Sequence, residues 1–318
     1  MSLAWTSSIW DGIDLVWRLA VLAGVFAIGA RLPSLRPVYI GFGAGIAVNS
    51  ILAMFQWYGP WEIVRELIPQ SPMPGGLFLN KNYLAEPAAL AFVALVASRL
   101  WWLAAAALPA LLLPKTRGAL LAVGVAAIAW VWTRDRRLAI LMMLGVVALA
   151  IETVARNGID ATFDQRLAIW RDTAAGMTFW GHGVGSYFTS YAGHSPNFNL
   201  LISRPTHAHN DILELFYEFG PGAVLILVLA WQCLRADRLP ERLVLIAFIT
   251  EGMFAFPVHN PATAAMAALC AGHLFAVRVP LRVRLGAWRD GVRDWTVGHK
   301  VASGGHPASG ARGEAVSA

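Results

Sequence analysis

Residues 206–211 read Thr-His-Ala-His-Asn-Asp, the densest acid–base chemistry in the chain. His207 and His209 carry imidazoles, which titrate nearest neutral pH and so serve as general bases. The alternate spacing of His207, His209 and Asp211 would converge on an extended strand, as metal ligands do, although no HExxH and no cysteine set accompanies them. A third use is structural, with Asn210 or Asp211 as the N-cap of a following helix. The residues alone leave base, metal and cap open.

Three other stretches carry polar chemistry. Arg166 stands four residues before Trp170 in Arg-Leu-Ala-Ile-Trp, and Arg117 sits in a Lys-Thr-Arg-Gly corner between two apolar runs. A guanidinium offers a planar fork that suits phosphate; the plainer reading of each arginine is an interface anchor. Gly75 to Asn82 ends in Asn-Lys-Asn and reads as a mobile polar approach to the membrane, or as a solvated loop end with Lys81 snorkelling. Gly181-His-Gly-Val-Gly185 follows a helical pattern instead of a strand, so it reads as a tight turn and not as a dinucleotide loop.

The elements that must position these residues are apolar. Of 318 residues, 57% are hydrophobic and 14% are charged, where a soluble domain carries roughly 25% charged residues. Apolar runs recur at lengths that suit a bilayer, and 14 tryptophans fit its interfaces. The expected fold is all-α, a polytopic membrane protein of about nine spans. They centre on 13–31, 38–57, 83–98, 99–113, 118–133, 138–151, 214–234, 243–256 and 262–278. Asp11 and Asp14 precede the first run and no basic segment does, which argues against a cleavable signal peptide. Cys233 and Cys270 fall in apolar spans and read as small hydrophobes. The net charge of +6 lies in short loops and the tail, with no basic face interleaved with aromatics, which excludes a nucleic-acid binder.

Arginines in short loops set the orientation. The clusters Arg134/Arg136/Arg137, Arg235/Arg238/Arg242 and Arg278 to Arg293 are separated by even numbers of spans, so all three face the cytoplasm. The N-terminus is then outside and the C-terminus inside. The interval 152–213, the 59–82 loop and the Pro114–Gly118 corner share the external side. Residues 1–278 make the membrane domain; 279–318 form a basic, then Gly/Ala/Ser-rich tail without expected order. Within the external interval Phe163, Leu167, Trp170, Ala174 and Met177 recur at spacings of 4, 3, 4 and 3, an amphipathic helix flanked by Arg166 and Arg171. Such a helix can lie on the membrane surface.

The order of these pieces resembles the O-antigen ligase and O-antigen polymerase superfamily of bacterial membrane glycosyltransferases, over roughly residues 75–275. The resemblance rests on Gly76 to Asn82, Thr116-Arg117-Gly118, Arg166-x-x-x-Trp170, Gly181 to Phe188, His-Ala-His-Asn-Asp with Glu214, Glu218 and Gly220 after it, and Phe256-Pro-Val-His-Asn-Pro261. It implies a polyprenyl-diphosphate-linked glycan donor, a glycan or lipid hydroxyl acceptor, and inverting transfer outside the cytoplasmic membrane without metal or other cofactor. It also implies that Arg117 and Arg166 contact the diphosphate and that His209, with His207 beside it, is the base. Arg171, Lys81, Asn82, Asn210 and Glu214 are the candidate substrate contacts. The chain departs from the family by having three fewer N-terminal spans, which by parity turns an inside N-terminus outside. Two rival readings are a transporter, for which Arg18, Glu86 and Glu251 are the mid-membrane candidates, and a non-catalytic binder of lipid-linked glycan.

Overall fold

The computed structural model describes residues 6, 8–59, 74–157, 161–196 and 205–278. The expected tail at 279–318 lies outside them, as do 60–73 of the external loop and 197–204 of the long interval. Among the described residues there is helix and no strand.

Helices α1 (Ile9–Gly29) and α2 (Arg36–Tyr58) are long and apolar enough to cross a membrane by themselves. Ser8 caps α1 by accepting from the Asp11 amide, and Pro37 opens α2, where its missing N–H costs nothing. Then come α3 (Lys81–Ala97), α4 (Trp101–Leu112), α5 (Arg117–Trp132) and α6 (Arg136–Asn157). The interval 152–213 holds α7 (Ala161–Ala175) and α8 (Tyr187–His194), and α9 (Asp211–Phe219), α10 (Gly222–Leu234), α11 (Leu239–Gly252) and α12 (Pro261–Arg278) complete the order. Helix therefore covers each apolar segment read from the sequence.

One expected span is two helices. The run 214–234 breaks at Gly220, whose φ of 53° lies in the left-handed region that glycine alone adopts without strain, and Pro221 follows it. That leaves α9 with 9 residues, too short to cross a bilayer, and frees its polar face for a site.

Two cores hold the chain. The larger gathers alanines and leucines of α2, α3, α4, α5, α11 and α12, among them Leu84, Leu90, Leu95 and Leu274. Small residues let these helices approach closely. The pairing of α1 with α12 shows this: a Cβ on Gly29 would strike the Leu269 carbonyl, and one on Gly272 the Phe26 carbonyl. Cys233 and Cys270 are buried free thiols, as small hydrophobes are. The smaller core joins α7, α8, α9 and the histidine segment and is rich in tyrosine: Ile169, Tyr187, Tyr191, Ala208 and Tyr217.

The smaller core takes part of the expected stripe of α7, since Trp170 and Met177 pack against it. Its buried face carries Ile169 and Thr173, while Phe163, Leu167 and Ala174 stay exposed and Met177 lies beyond the helix end. Thr173 can be buried because its hydroxyl bonds both the Ile169 carbonyl (2.7 Å) and the Tyr187 hydroxyl (2.8 Å).

Candidate active site

Glu214, one turn into α9, is the hub. Its Oε1 accepts from His207 Nδ1 at 3.0 Å and from His259 Nε2 at 3.1 Å, and its Oε2 accepts from the Ala208 amide at 2.7 Å. Burial alone would push this carboxyl up; the two histidines outweigh burial and hold it at about 2. The rings of His207 and His259 stack with centroids 3.7 Å apart. His259 comes from a turn, Pro257–His259, that a second acid fixes: Asp211 Oδ2 accepts from the Val258 amide at 3.0 Å. Asn260 then ties the same turn to α3, donating to the Tyr83 carbonyl (3.1 Å) and to Glu86 (3.2 Å).

His209 occupies a different environment. Its φ of 53° reverses the backbone after Ala208, so the extended run that would have aligned His207, His209 and Asp211 does not form. The described residues that come nearest a metal-ligand cluster are instead His207, Glu214 and His259, with one ligand atom each within 4.8 Å of the others. Both rings already bond Glu214, which accounts for their convergence by hydrogen bonding. The His209 ring lies against Phe256, centroids 4.9 Å apart. Burial and then the nearby Arg166 guanidinium lower its pKa to about 4.

The Arg-x-x-x-Trp spacing now has a physical meaning. Residues four apart share a helix face. Trp170 donates its indole N–H to the Ala208 carbonyl at 3.0 Å, and Arg166, one turn earlier, acts electrostatically on His209. The second arginine motif reaches the same end of the helices. Thr116 Oγ1 donates to Asn82 Oδ1 at 3.3 Å, next to Tyr83, whose ring meets Phe256 edge-on at 5.7 Å, and Phe256 meets both histidines. Arg117 is the first residue of α5 beside that corner.

The remaining expected residues have these places. Asn210 is the N-cap of α9, its Oδ1 accepting from the Leu213 amide at 3.0 Å. Lys81 opens α3, capped by Asn80. Arg171 is exposed on α7. The glycine turn grips α9 from outside: the Gly185 and Tyr187 amides donate to the two Glu218 carboxylate oxygens at 3.1 and 3.0 Å. Gly181, at φ 73°, passes so close to the Glu218 carbonyl that a Cβ there would collide. Of the transporter candidates, Glu86 is bound to Asn260, Arg18 is paired with Asp14 at 2.8 Å, and the buried carboxyl group of Glu251 has no hydrogen-bond partner among the described residues.

Two cavities share the walls Leu15, Glu214, Glu218 and His259. One, about 360 Å³, is apolar and runs among α1, α9, α10, α11 and α12. The other, about 290 Å³, is polar and adds Asp11, Asp14, Arg18, Thr206 and His207. His259 and the acids of α1 were not among the expected site residues. His259 stood in the Phe-Pro-Val-His-Asn-Pro run, where the histidine flanked by prolines was the available signal.

The described residues are helical and largely apolar, and they bring the arginine and histidine motifs to one end of the helices. The family described as O-antigen ligase matches residues 88–228, and over that stretch the chain is similar to the O-antigen ligase-like superfamily. Its members are ligases and polymerases of bacterial inner membranes. Comparison with curated proteins gives no match.

Proposed function

We propose that the protein transfers a glycan from a polyprenyl-diphosphate donor to a hydroxyl acceptor on the external face of the cytoplasmic membrane. Its helices make nine crossings, with the N-terminus outside. The observation that carries this reading is the Trp170–Ala208 bond. It joins the arginine helix to the histidine segment, 38 residues further on.

The chemistry needs two things. The diphosphate must be neutralised as the sugar–oxygen bond breaks, and Arg166 and Arg117 supply that charge in the manner of an oxyanion site. The acceptor hydroxyl needs a proton acceptor within hydrogen-bond reach, and the His207–His209 segment supplies it. Glu214 fixes the segment from one side and Trp170 from the other, so the geometry exists before substrate arrives. Lys81 and Asn82 stand beside the Thr116 corner, where the donor approaches from the membrane surface. No step requires a metal.

The test is reconstituted transfer. Purified protein in lipid, given a polyprenyl-diphosphate oligosaccharide and a saccharide acceptor, should glycosylate the acceptor with EDTA present. Loss of activity with EDTA and recovery with zinc would instead assign the His207–Glu214–His259 cluster to a metal. A protein that binds the donor but never transfers it supports the binder reading.

A further inference from the structure

The polar cavity beside α1 has no place in the sequence reading, and it is lined by His207, Glu214 and His259. Resting on the glycosyl-transfer reading above, we propose that this cavity binds the acceptor as an uncharged sugar and that His207, held by Glu214, is the base that takes its hydroxyl proton.

Three observations carry the assignment. First, His207 lines the cavity and His209 does not. Second, the two rings on Glu214 are bound through different nitrogens. His207 uses Nδ1 and His259 uses Nε2. A carboxylate accepts only, so the bonded Nδ1 of His207 carries a proton, and in the neutral ring this tautomer leaves the lone pair on Nε2. Nε2 is the nitrogen that projects furthest from the backbone; the free nitrogen of His259 is Nδ1, next to its own main chain. His207 is also the more exposed of the two, 25% against 15%. A carboxylate that fixes the tautomer of a base and stabilises its cation is the arrangement of a catalytic triad. Third, the opposite wall is α1, which presents Asp11 and Asp14 with Arg18. Carboxylates accept hydrogen bonds from sugar hydroxyls, and Arg18 donates. With Glu214 and Glu218 the cavity carries four acidic side chains against one guanidinium, which selects against a phosphorylated or acidic sugar. Its size, about 290 Å³, lies at the small end of ligand sites, which run from roughly 300 to 1,000 Å³, and suits a short saccharide end.

The step balances within these groups. The acceptor O–H gives its proton to His207 Nε2. The oxygen's electron pair forms the new bond to the anomeric carbon of the donor. The bond from that carbon to the diphosphate oxygen breaks, and the diphosphate leaves with the electron pair. Glu214 holds the resulting imidazolium. One displacement of this kind inverts the anomeric centre.

The experiment has a binding arm and a turnover arm. A neutral methyl glycoside, offered to the purified full-length protein without donor, should bind the wild type. The Asp11→Asn/Asp14→Asn double variant should weaken that binding roughly tenfold or more, since each lost bond to a charged group is of the size that shifts affinity by that factor. Polyprenyl-diphosphate binding should be unchanged in the double variant. In turnover, His207→Gln should be inactive while still binding donor, and His209→Gln should lose far less. Unchanged glycoside affinity in the double variant overturns the cavity; an active His207→Gln overturns the base. If the wild type binds the glycoside but transfers nothing from any lipid-linked donor, the glycosyl-transfer reading fails, and the base assignment with it, while the sugar site stands.

Discussion

Trp170 donates its indole N–H to the carbonyl oxygen of Ala208, 3.0 Å away, and Ala208 is the residue between the two histidines. The same residue gives its amide to Glu214 at 2.7 Å. Main-chain bonds on both sides thus fix the point from which His207 and His209 diverge.

Trp170→Phe keeps the ring and removes only the donor. It should cost about 1 kcal/mol of stability, the usual net value of one hydrogen bond. Transfer should fall further than stability does, because the histidine segment loses its register against Arg166. Thermal midpoint and transfer rate, measured on the same preparation, check this. A variant that matches the wild type in both would show that the bond positions nothing.

Arg166→Ala and Arg117→Ala should each reduce transfer by at least roughly a hundredfold, the cost of deleting a donor to developing charge. Both proteins should still accumulate in the membrane. Lysine at either position should rescue in part, since it lacks the bidentate fork. Arg171→Ala should be milder, because Arg171 is exposed on α7 and lies outside the matched motif. Wild-type rates with alanine at both positions would remove the two arginines from the site.

The environment of His209 changes what acid should do. An ordinary imidazole would charge near 6.5; burial first, and Arg166 second, lower His209 to about 4. The folded state therefore favours the neutral ring, and the unfolded state binds the extra proton between these values. His209 stabilises fully above pH 6.5 and loses that contribution as pH falls towards 4. At roughly 1.4 kcal/mol per pH unit the loss comes to roughly 3 kcal/mol. Between pH 6.5 and 4 the thermal midpoint should drop more in the wild type than in His209→Gln. Parallel curves would contradict the assigned environment.

Much of this was legible in the sequence. Apolar runs located the helices, and the Arg-x-x-x-Trp and His-x-His-Asn spacings marked two segments that the Trp170–Ala208 bond brings together. What escaped depends on long-range packing. His259 joins His207 through Glu214, across residues 207–259, and no local spacing announces that contact. Helix α8 lies in an interval that reads as loop, because its Tyr187 and Tyr191 are buried by other aromatics and not by a periodic face of their own. The burial of Thr173 beside the stripe on α7 also escaped, because its hydrogen bonds make it possible and a hydrophobic pattern cannot register them. The break at Gly220-Pro221 was readable as a dipeptide, but the continuous apolar run across it hid the boundary.

Topology gives an independent check. A reporter fused after residue 199 should read external, and one after Arg238 cytoplasmic, since Arg235, Arg238 and Arg242 lie in one short loop. Both reporters on one side would move the site to the wrong compartment for a lipid-linked donor presented outside.

The most direct measurement is the stoichiometry of transfer. Purified protein should release one polyprenyl diphosphate for every acceptor hydroxyl glycosylated, with the anomeric configuration of the donor sugar inverted in the product. Retained configuration, or acceptor product formed without release of the diphosphate, would contradict a single displacement from a lipid-linked donor.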